Sequence, residues 1–250
     1  MSEDTSIHPD AMSWLSRAGL SATALNEMGA ENEVDGSSTG GTNALLNQLR
    51  NWHPQTLKQI STHALALGKA SGQPLVMMKW VADIEIKLKL LRDRIGISRK
   101  AGNSELVRST VLVKRPNEWV SLGKWIPDIL DRAAAFDPIH ATKSSDDGAH
   151  LEHTDGSGVG FSAHKQRSFD RTVSLAELRS VKLEHVIVLN DASPGASDSE
   201  ILQDQVLELR QNDPNCSIHV SRIPHKWFSS GPEVFDAVFE AAFFIHGIKE

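Results

Sequence analysis

One strand–helix–strand unit, between His185 and Ile223, constrains the fold more than any other part of this sequence. Its first strand, His185 to Leu189, is an apolar and β-branched run that ends in turn-forming residues. The helix that follows ends at the triplet Asp213-Pro214-Asn215, and Ser217 to Ser221 then alternates as a half-buried strand does. This order of elements predicts an open α/β sheet, in which ligands bind at the carboxyl ends of the strands.

The bulk composition predicts a soluble globular protein in a reducing compartment. A chain of 250 residues with 40% hydrophobic content can bury one large core or two small ones. Cys216 is the single cysteine, which excludes a disulfide framework and a four-thiolate zinc site. The first residues lack the pattern of a secretory signal, and no apolar run approaches the roughly 20 residues of a membrane helix. We therefore expect a cytoplasmic location and no membrane contact.

The N-terminal half is expected to be mainly helical. Apolar residues at 3–4 spacing predict helix between Asn43 and Gly72. In the segment from Met77 to Ile95, alternation favours a strand and 3–4 spacing favours a helix, and the length of the pattern favours the helix. Leu106 to Val113 is a predicted strand, and Glu118 to Ala135 a predicted helix that Pro127 kinks.

The C-terminal half is expected to be a small α/β region with a short sheet flanked by helices, which makes the whole a mixed α/β (α+β) protein. Ser174 has capping-box spacing to Glu177 and predicts the start of a short helix. Residues 232–248 form an apolar helix that packs on the core or, alternatively, mediates a homo-oligomer. Composition suggests four segments: a flexible acidic tail (1–42), a helical region (43–136), a loop or linker (137–172) and the α/β region (173–250).

A basic segment between Lys79 and Arg115 carries the main binding hypothesis. It has ten basic and four acidic residues, in a chain whose net charge is −6. Cations near a helix end can reach phosphates, so the segment predicts contact with nucleic acid. An ordinary solvated helix face is the alternative, since no helix-turn-helix spacing accompanies the charge. The predicted binding residues are Lys87, Lys89, Arg92, Arg94, Arg99 and Lys100.

Asp191 and a histidine-bearing loop carry the alternative hypothesis, an enzyme acting on a small or nucleotide-like substrate. Asp191 follows the first strand of the opening unit, where it could bind substrate or only stabilise the turn. His150, His153 and His164 lie in a long loop, but their spacing matches no metal motif, so no metal site or cofactor is assigned. The predicted catalytic residues are Asp191, His153 and His164.

The sequence resembles two families over short segments but lacks the catalytic motifs of both. The string from Val186 to Ser193 resembles the nucleotide-binding strand of GT-A sugar transferases, whose Asp-any-Asp metal motif is missing. The strand–helix–strand unit resembles phospholipase D-like regions of transcription regulators, but His225 and Lys226 are adjacent and do not form His-any-Lys. The sequence thus favours a cytosolic regulatory or interaction protein with a nucleic-acid or protein partner, with the enzyme as the alternative.

Overall fold

The structure is a computed structural model that describes residues 8–20, 49, 52–100, 106–115, 118–141, 170–189, 198–221 and 224–248. The chain divides into unit 1, Met1–Gly102 with His225–Glu240, and unit 2, Asn103–Pro224 with Ala241–Glu250. The segment boundaries expected from composition stay predictions. In chain order the described elements are α1 (Pro9–Arg17), α2 (Leu57–Ala70), α3 (Pro74–Lys100), β1 (Val107–Arg115), β2 (Glu118–Ser121), α4 (Ile126–Arg132), β3 (Ala135–Phe136), α5 (Pro138–Ala141), β4 (Arg171–Val173), α6 (Leu175–Ser180), β5 (His185–Leu189), α7 (Asp198–Asn212), β6 (Ser217–Ser221), α8 (His225–Phe228) and α9 (Val234–His246).

The described elements of unit 1 are helical, as the 3–4 spacing predicts. Helix α2 begins after Thr56, whose hydroxyl accepts a hydrogen bond from the backbone N–H of Gln59 at 3.1 Å. Helix α3 is continuous through the segment that also alternates like a strand, so the prediction of a helix there is confirmed. The two helices pack together, and a Cβ atom on Gly68 would lie only 2.5 Å from Cγ of Met77. The glycine therefore permits this close approach.

Residues from the two ends of the chain meet in a buried polar network within unit 1. The carboxylate of Asp10 accepts hydrogen bonds from the hydroxyl of Ser229 at 2.9 Å and from the backbone N–H and hydroxyl of Ser230, both at 2.7 Å. Two buried indoles complete the network, because Trp52 donates to the Ser230 hydroxyl and Trp14 to the Ser230 carbonyl. The network fixes α1 to the chain segment before α9.

Unit 2 is built on a mixed sheet with the strand order β4-β2-β1-β5-β6. Strands β1, β5 and β6 are parallel, β2 and β4 are antiparallel to their neighbours, and β3 pairs in parallel with the first residues of β1. The β5-α7-β6 unit is the predicted strand–helix–strand unit, with His185 opposite Ser217 and Leu189 opposite Ser221. The mixed α/β fold class is therefore confirmed.

The predicted helix over residues 118–135 is confirmed only for Ile126–Arg132 and is wrong at both ends, since Ala135 belongs to strand β3. Glu118 to Ser121 is strand β2, which pairs with β1 so that Arg115 is opposite Glu118. Only two residues separate these strands, and such a short connection is typical of a β-hairpin. The periodic apolar residues were thus shared between a strand and helix α4, which begins at Ile126 with Pro127 in its first turn.

The core of unit 2 includes an apolar cluster contributed by the sheet and by α6 and α7. Ser174 caps α6 by accepting a hydrogen bond from the backbone N–H of Glu177, which confirms the predicted helix start. The cluster members are Leu112, Trp119, Ile139, Val173, Leu178, Leu183, Val186, Val188 and Leu209. Across the described ranges, no helix combines the length and the hydropathy that a membrane span requires.

Candidate functional site

The carboxyl edge of the parallel strands is the first candidate for a ligand site in unit 2. Strands β1, β5 and β6 end there at Arg115, Leu189 and Ser221, and this edge is where open α/β sheets bind ligands. The side chain of Arg115 is 46% exposed, and its guanidinium lies 4.0 Å from the carboxylate of Glu118 and 3.7 Å from that of Asp170. These separations exceed those of charge-assisted hydrogen bonds, so the guanidinium is only loosely held.

The neighbouring cation at this edge is firmly held. The ammonium group of Lys114 lies 3.0 Å from the carboxylate of Glu208 and 4.8 Å from the ring centre of Trp119. An ion pair and a cation–π contact together fix this side chain. The edge therefore presents one restrained cation and, at Arg115, one that can reorient toward an anion.

A buried polar cluster lies where β1 changes partner from β3 to β2. The Thr110 hydroxyl is 3.2 Å from both the carboxylate of Asp137 and the hydroxyl of Ser121, and Ser121 is 3.0 Å from Nε2 of His140. The backbone N–H of Ile139 donates to the second oxygen of Asp137 at 2.9 Å. The Thr110 hydroxyl donates to the carboxylate, and Ser121 links Thr110 to the imidazole of His140.

Burial controls the protonation of this cluster. It raises the pKa of Asp137 from 3.8 to about 7, while the hydrogen bonds from Ile139 and Thr110 oppose the shift. Burial, followed by the charge of Arg171, lowers the pKa of His140 below its ordinary value. Arg171 donates to the carbonyl of Ile139 at 2.9 Å and pairs with Glu177. Because both oxygens of Asp137 are engaged, the cluster is suited to holding the chain after β3 in place.

A polar groove of about 660 Å³ lies at the opposite, amino-terminal edge of β5 and β6. Its acidic side chains are already engaged, since Glu184 accepts a hydrogen bond from the backbone of Arg108 and Asp213 from that of Asn215. The groove is lined by Arg179, Lys182, Leu183, Glu184, His185, Asn212, Asp213, Pro214, Asn215 and Ser217. Charges of both signs balance along it, so it attracts neither anions nor cations selectively.

The site residues predicted from the sequence fall partly outside the described residues. Asp191, His153 and His164 lie outside the described residues, and their role stays a prediction. Lys87, Lys89, Arg92 and Arg94 are exposed along α3, and Arg99 and Lys100 belong to its last turn. Within the described ranges, no three His, Cys, Asp or Glu side chains are grouped so as to hold a metal ion.

Sequence patterns did not reveal the cluster around Asp137. Thr110 and Ser121 interrupt two apolar strands, and Asp137 precedes Pro138 in a segment read as loop. The Asp-Pro pair was the one available signal, because a short polar residue before a proline often starts a helix. Nothing local indicated that the residues on β1, β2 and α5 meet.

Comparison with known proteins found relatives by structure but none by sequence. No family model and no curated protein matches the chain. Among solved structures, a periplasmic binding protein from Veillonella parvula DSM 2008 superposes with a TM-score of 0.55 at 14% identity, over 78% of this chain and 58% of that one. A periplasmic heme-binding protein from Pseudomonas aeruginosa superposes with a TM-score of 0.52 at 13% identity, over 78% and 62%.

A third solved structure is the triscatecholate siderophore-binding protein FeuA from Bacillus subtilis in complex with ferri-bacillibactin, also described as an iron-uptake system-binding protein. It superposes with a TM-score of 0.50 at 13% identity, over 77% of this chain and 61% of that one. The chain thus spans about three fifths of the length of these proteins. At such identities the likeness establishes a shared fold.

These neighbours overturn the functional predictions made from the sequence. The expected cytosolic regulator with a nucleic-acid partner, and the alternative of an enzyme, are wrong, because the solved structures that this chain resembles are binding proteins, two of them for heme and for a siderophore. Their periplasmic setting likewise overturns the expected cytoplasmic location. The physical reason is that a net positive helix does not specify a polyanion, and one cysteine does not specify a compartment.

The predicted homo-oligomer through residues 232–248 is also corrected. Seven apolar side chains of α9 are buried within this chain and Phe239, Phe243 and Phe244 are half-buried, so packing inside the chain accounts for most of this face. The alternative weighed for this helix, core packing, is what the structure shows. The buried residues of α9 are Val234, Phe235, Ala237, Val238, Ala241, Ala242 and Ile245.

Proposed function

We propose that this chain is a solute-binding protein of an uptake system, or part of one, acting outside the cytoplasm on a large anionic iron chelate. The observation that carries the proposal is the fold shared over 78% of the chain with periplasmic binding proteins. Heme and ferri-bacillibactin, the ligands named for two of these neighbours, are both iron chelates with anionic groups.

The carboxyl edge of β1, β5 and β6 supports this proposal as the ligand face of unit 2. An anionic chelate needs a cation, and an arginine guanidinium binds carboxylates and other oxyanions through paired hydrogen bonds. Arg115 is half-exposed at this edge, and among the residues that the structure describes its ion-pair contacts, to Glu118 and Asp170, are long. Rotation of the Arg115 side chain toward a ligand therefore breaks only long contacts and costs little free energy.

Binding of hemin and of ferri-bacillibactin to the full chain tests the proposal. Hemin is titrated by absorbance and ferri-bacillibactin by quenching of the fluorescence of the six tryptophans. We expect saturable one-to-one binding of at least one of them. Replacing Arg115→Gln should weaken that binding by roughly 10- to 150-fold, the effect of losing one charge-assisted hydrogen bond of about 1.5–3 kcal/mol.

Arg179→Gln is the matched control, because Arg179 is an exposed arginine of the same unit at the opposite edge of the sheet. Its binding curve should match that of the unsubstituted protein. Absence of saturable binding of both chelates would contradict the proposed function. Equal loss of affinity in the two variants would contradict the assignment of the ligand face to the carboxyl edge. It would not contradict the proposal that the chain binds a chelate.

A further inference from the structure

Helix α3 has two apolar faces, and only one of them is covered. The covered face holds the buried residues Met77, Ile84, Leu88, Leu91 and Ile95. On the other side, Leu75, Met78, Ile86 and Leu90 are 78%, 57%, 57% and 60% exposed. Exposed Ala82 lies between Met78 and Ile86, so successive members of the set are three or four residues apart. This spacing places all five in one row along about 22 Å of the helix. We call this row the α3 ridge.

The charges around the α3 ridge are mostly positive. Over residues 74–96, whose side chains the structure describes, helix α3 carries five basic residues against the exposed acids Asp83, Glu85 and Asp93. Lys79 and Lys89 lie beside the ridge, and their long side chains can keep the ammonium groups in water while the stems cover apolar surface. Exposed Lys87, Arg92 and Arg94 extend the positive surface toward the end of the helix.

We infer that the α3 ridge docks on an anionic lipid surface. Helices that lie on membranes bury an apolar row at the level of the headgroups and flank it with lysine and arginine, which attract anionic lipids. The four large exposed side chains and the excess of basic residues on α3 meet both conditions. The inference rests on the proposed function in one respect, since an uptake system works at a membrane.

Charge and shape favour a lipid surface over other occupants. Two copies of α3 would bring two net positive faces together, and like charges oppose that pairing. The ridge is a single convex row of flexible side chains. A fluid bilayer conforms to such a row, and the positive rim complements its anionic headgroups.

Sedimentation of the full chain with lipid vesicles tests the inference. Vesicles of phosphatidylcholine with phosphatidylglycerol should retain the protein, and vesicles of phosphatidylcholine alone should not. Retention should fall as salt is raised, because the attraction is screened beyond the Debye length. The double substitution Ile86→Ser with Leu90→Ser should lower retention by at least about tenfold, through loss of apolar burial.

Leu207→Ser is the matched control, because Leu207 is a leucine of α7 that is 53% exposed. It should leave retention unchanged, and the helical circular dichroism of all variants should match that of the unsubstituted chain. Equal retention of the ridge variant and the control would overturn the inference. So would self-association in light scattering that the ridge variant abolishes, or retention by immobilised polyglutamate without binding to vesicles. No chelate is present in this assay, so the proposed function and the lipid surface can fail separately.

Discussion

At the scale of single residues, Asp137 shows how burial changes a carboxyl group. The side chain is buried between β1 and α5, and its hydrogen bonds from Thr110 and Ile139 do not offset the lost solvation. A carboxyl group with a raised pKa in the folded state favours folding when it is protonated. Its contribution is therefore fully present below pH 3.8 and is lost as the pH rises through about 7.

Replacing Asp137→Asn should remove this pH dependence. Asparagine keeps an acceptor for the backbone N–H of Ile139 but cannot ionise. Relative to the variant, the unsubstituted protein should lose on the order of 1–3 kcal/mol of unfolding free energy between acidic and neutral pH. Urea denaturation at a series of pH values measures this. Asp131→Asn, at an exposed position of α4, is the control, and parallel curves for the protein and both variants would contradict the prediction.

At the scale of elements, the contact between α2 and α3 depends on a missing side chain. Glycine in a helix interior costs about 1 kcal/mol relative to alanine. At Gly68 the absence of a side chain permits close packing of the two helices, because an added Cβ would be 2.5 Å from Cγ and 2.6 Å from Cβ of Met77. At Gly96, on the exposed side of α3, an added Cβ meets nothing within 4 Å.

Alanine at these two glycines should have effects of opposite sign. Gly68→Ala should lower the free energy of unfolding by about 1–3 kcal/mol, because overpacking outweighs the gain in helix propensity. Gly96→Ala should raise it by about 0.5–1 kcal/mol, because only propensity changes. Thermal and urea denaturation of both variants measure the difference. Stabilisation by Gly68→Ala would show that the two helices are not packed this closely.

At the scale of the whole molecule, unit 1 contains residues from both ends of the chain, and Asp10 joins them. Its carboxylate accepts three hydrogen bonds from Ser229 and Ser230, about 220 positions away in the sequence. Unit 2 has its own sheet and core. Because compact units open with their own free energies, a change confined to this network should act on one unit first.

Asp10→Ala should therefore loosen unit 1 selectively. The substitution leaves the buried backbone N–H of Ser230 without its acceptor, which costs roughly 1–3 kcal/mol. In hydrogen–deuterium exchange, peptides from α1 and from residues 225–234 should lose protection while those from β1 and β5 keep theirs. Asp83→Ala, at an exposed position of α3, should change neither set. Equal loss of protection in both units would contradict the prediction that the Asp10 network stabilises unit 1 separately from the sheet of unit 2.

The sequence by itself determined the features that depend on neighbouring residues. Helix α3, the β5-α7-β6 unit and the cap at Ser174 were all predictable, because apolar periodicity and side chain to backbone hydrogen bonds act over a few residues. The mixed α/β class followed from these elements. The predicted residues Asp191, His153 and His164 were chosen from the same local patterns and remain predictions.

Only the tertiary structure decided the features that depend on distant residues. The strand order, the pairing that makes Glu118 to Ser121 a strand, and the meeting of Thr110, Asp137 and His140 all arise from contacts between separate segments. The α3 ridge belongs here too, because periodicity places apolar side chains on a helix but does not show which face the rest of the chain covers. Exposure is a property of the packed molecule, and so are the binding surfaces that it creates.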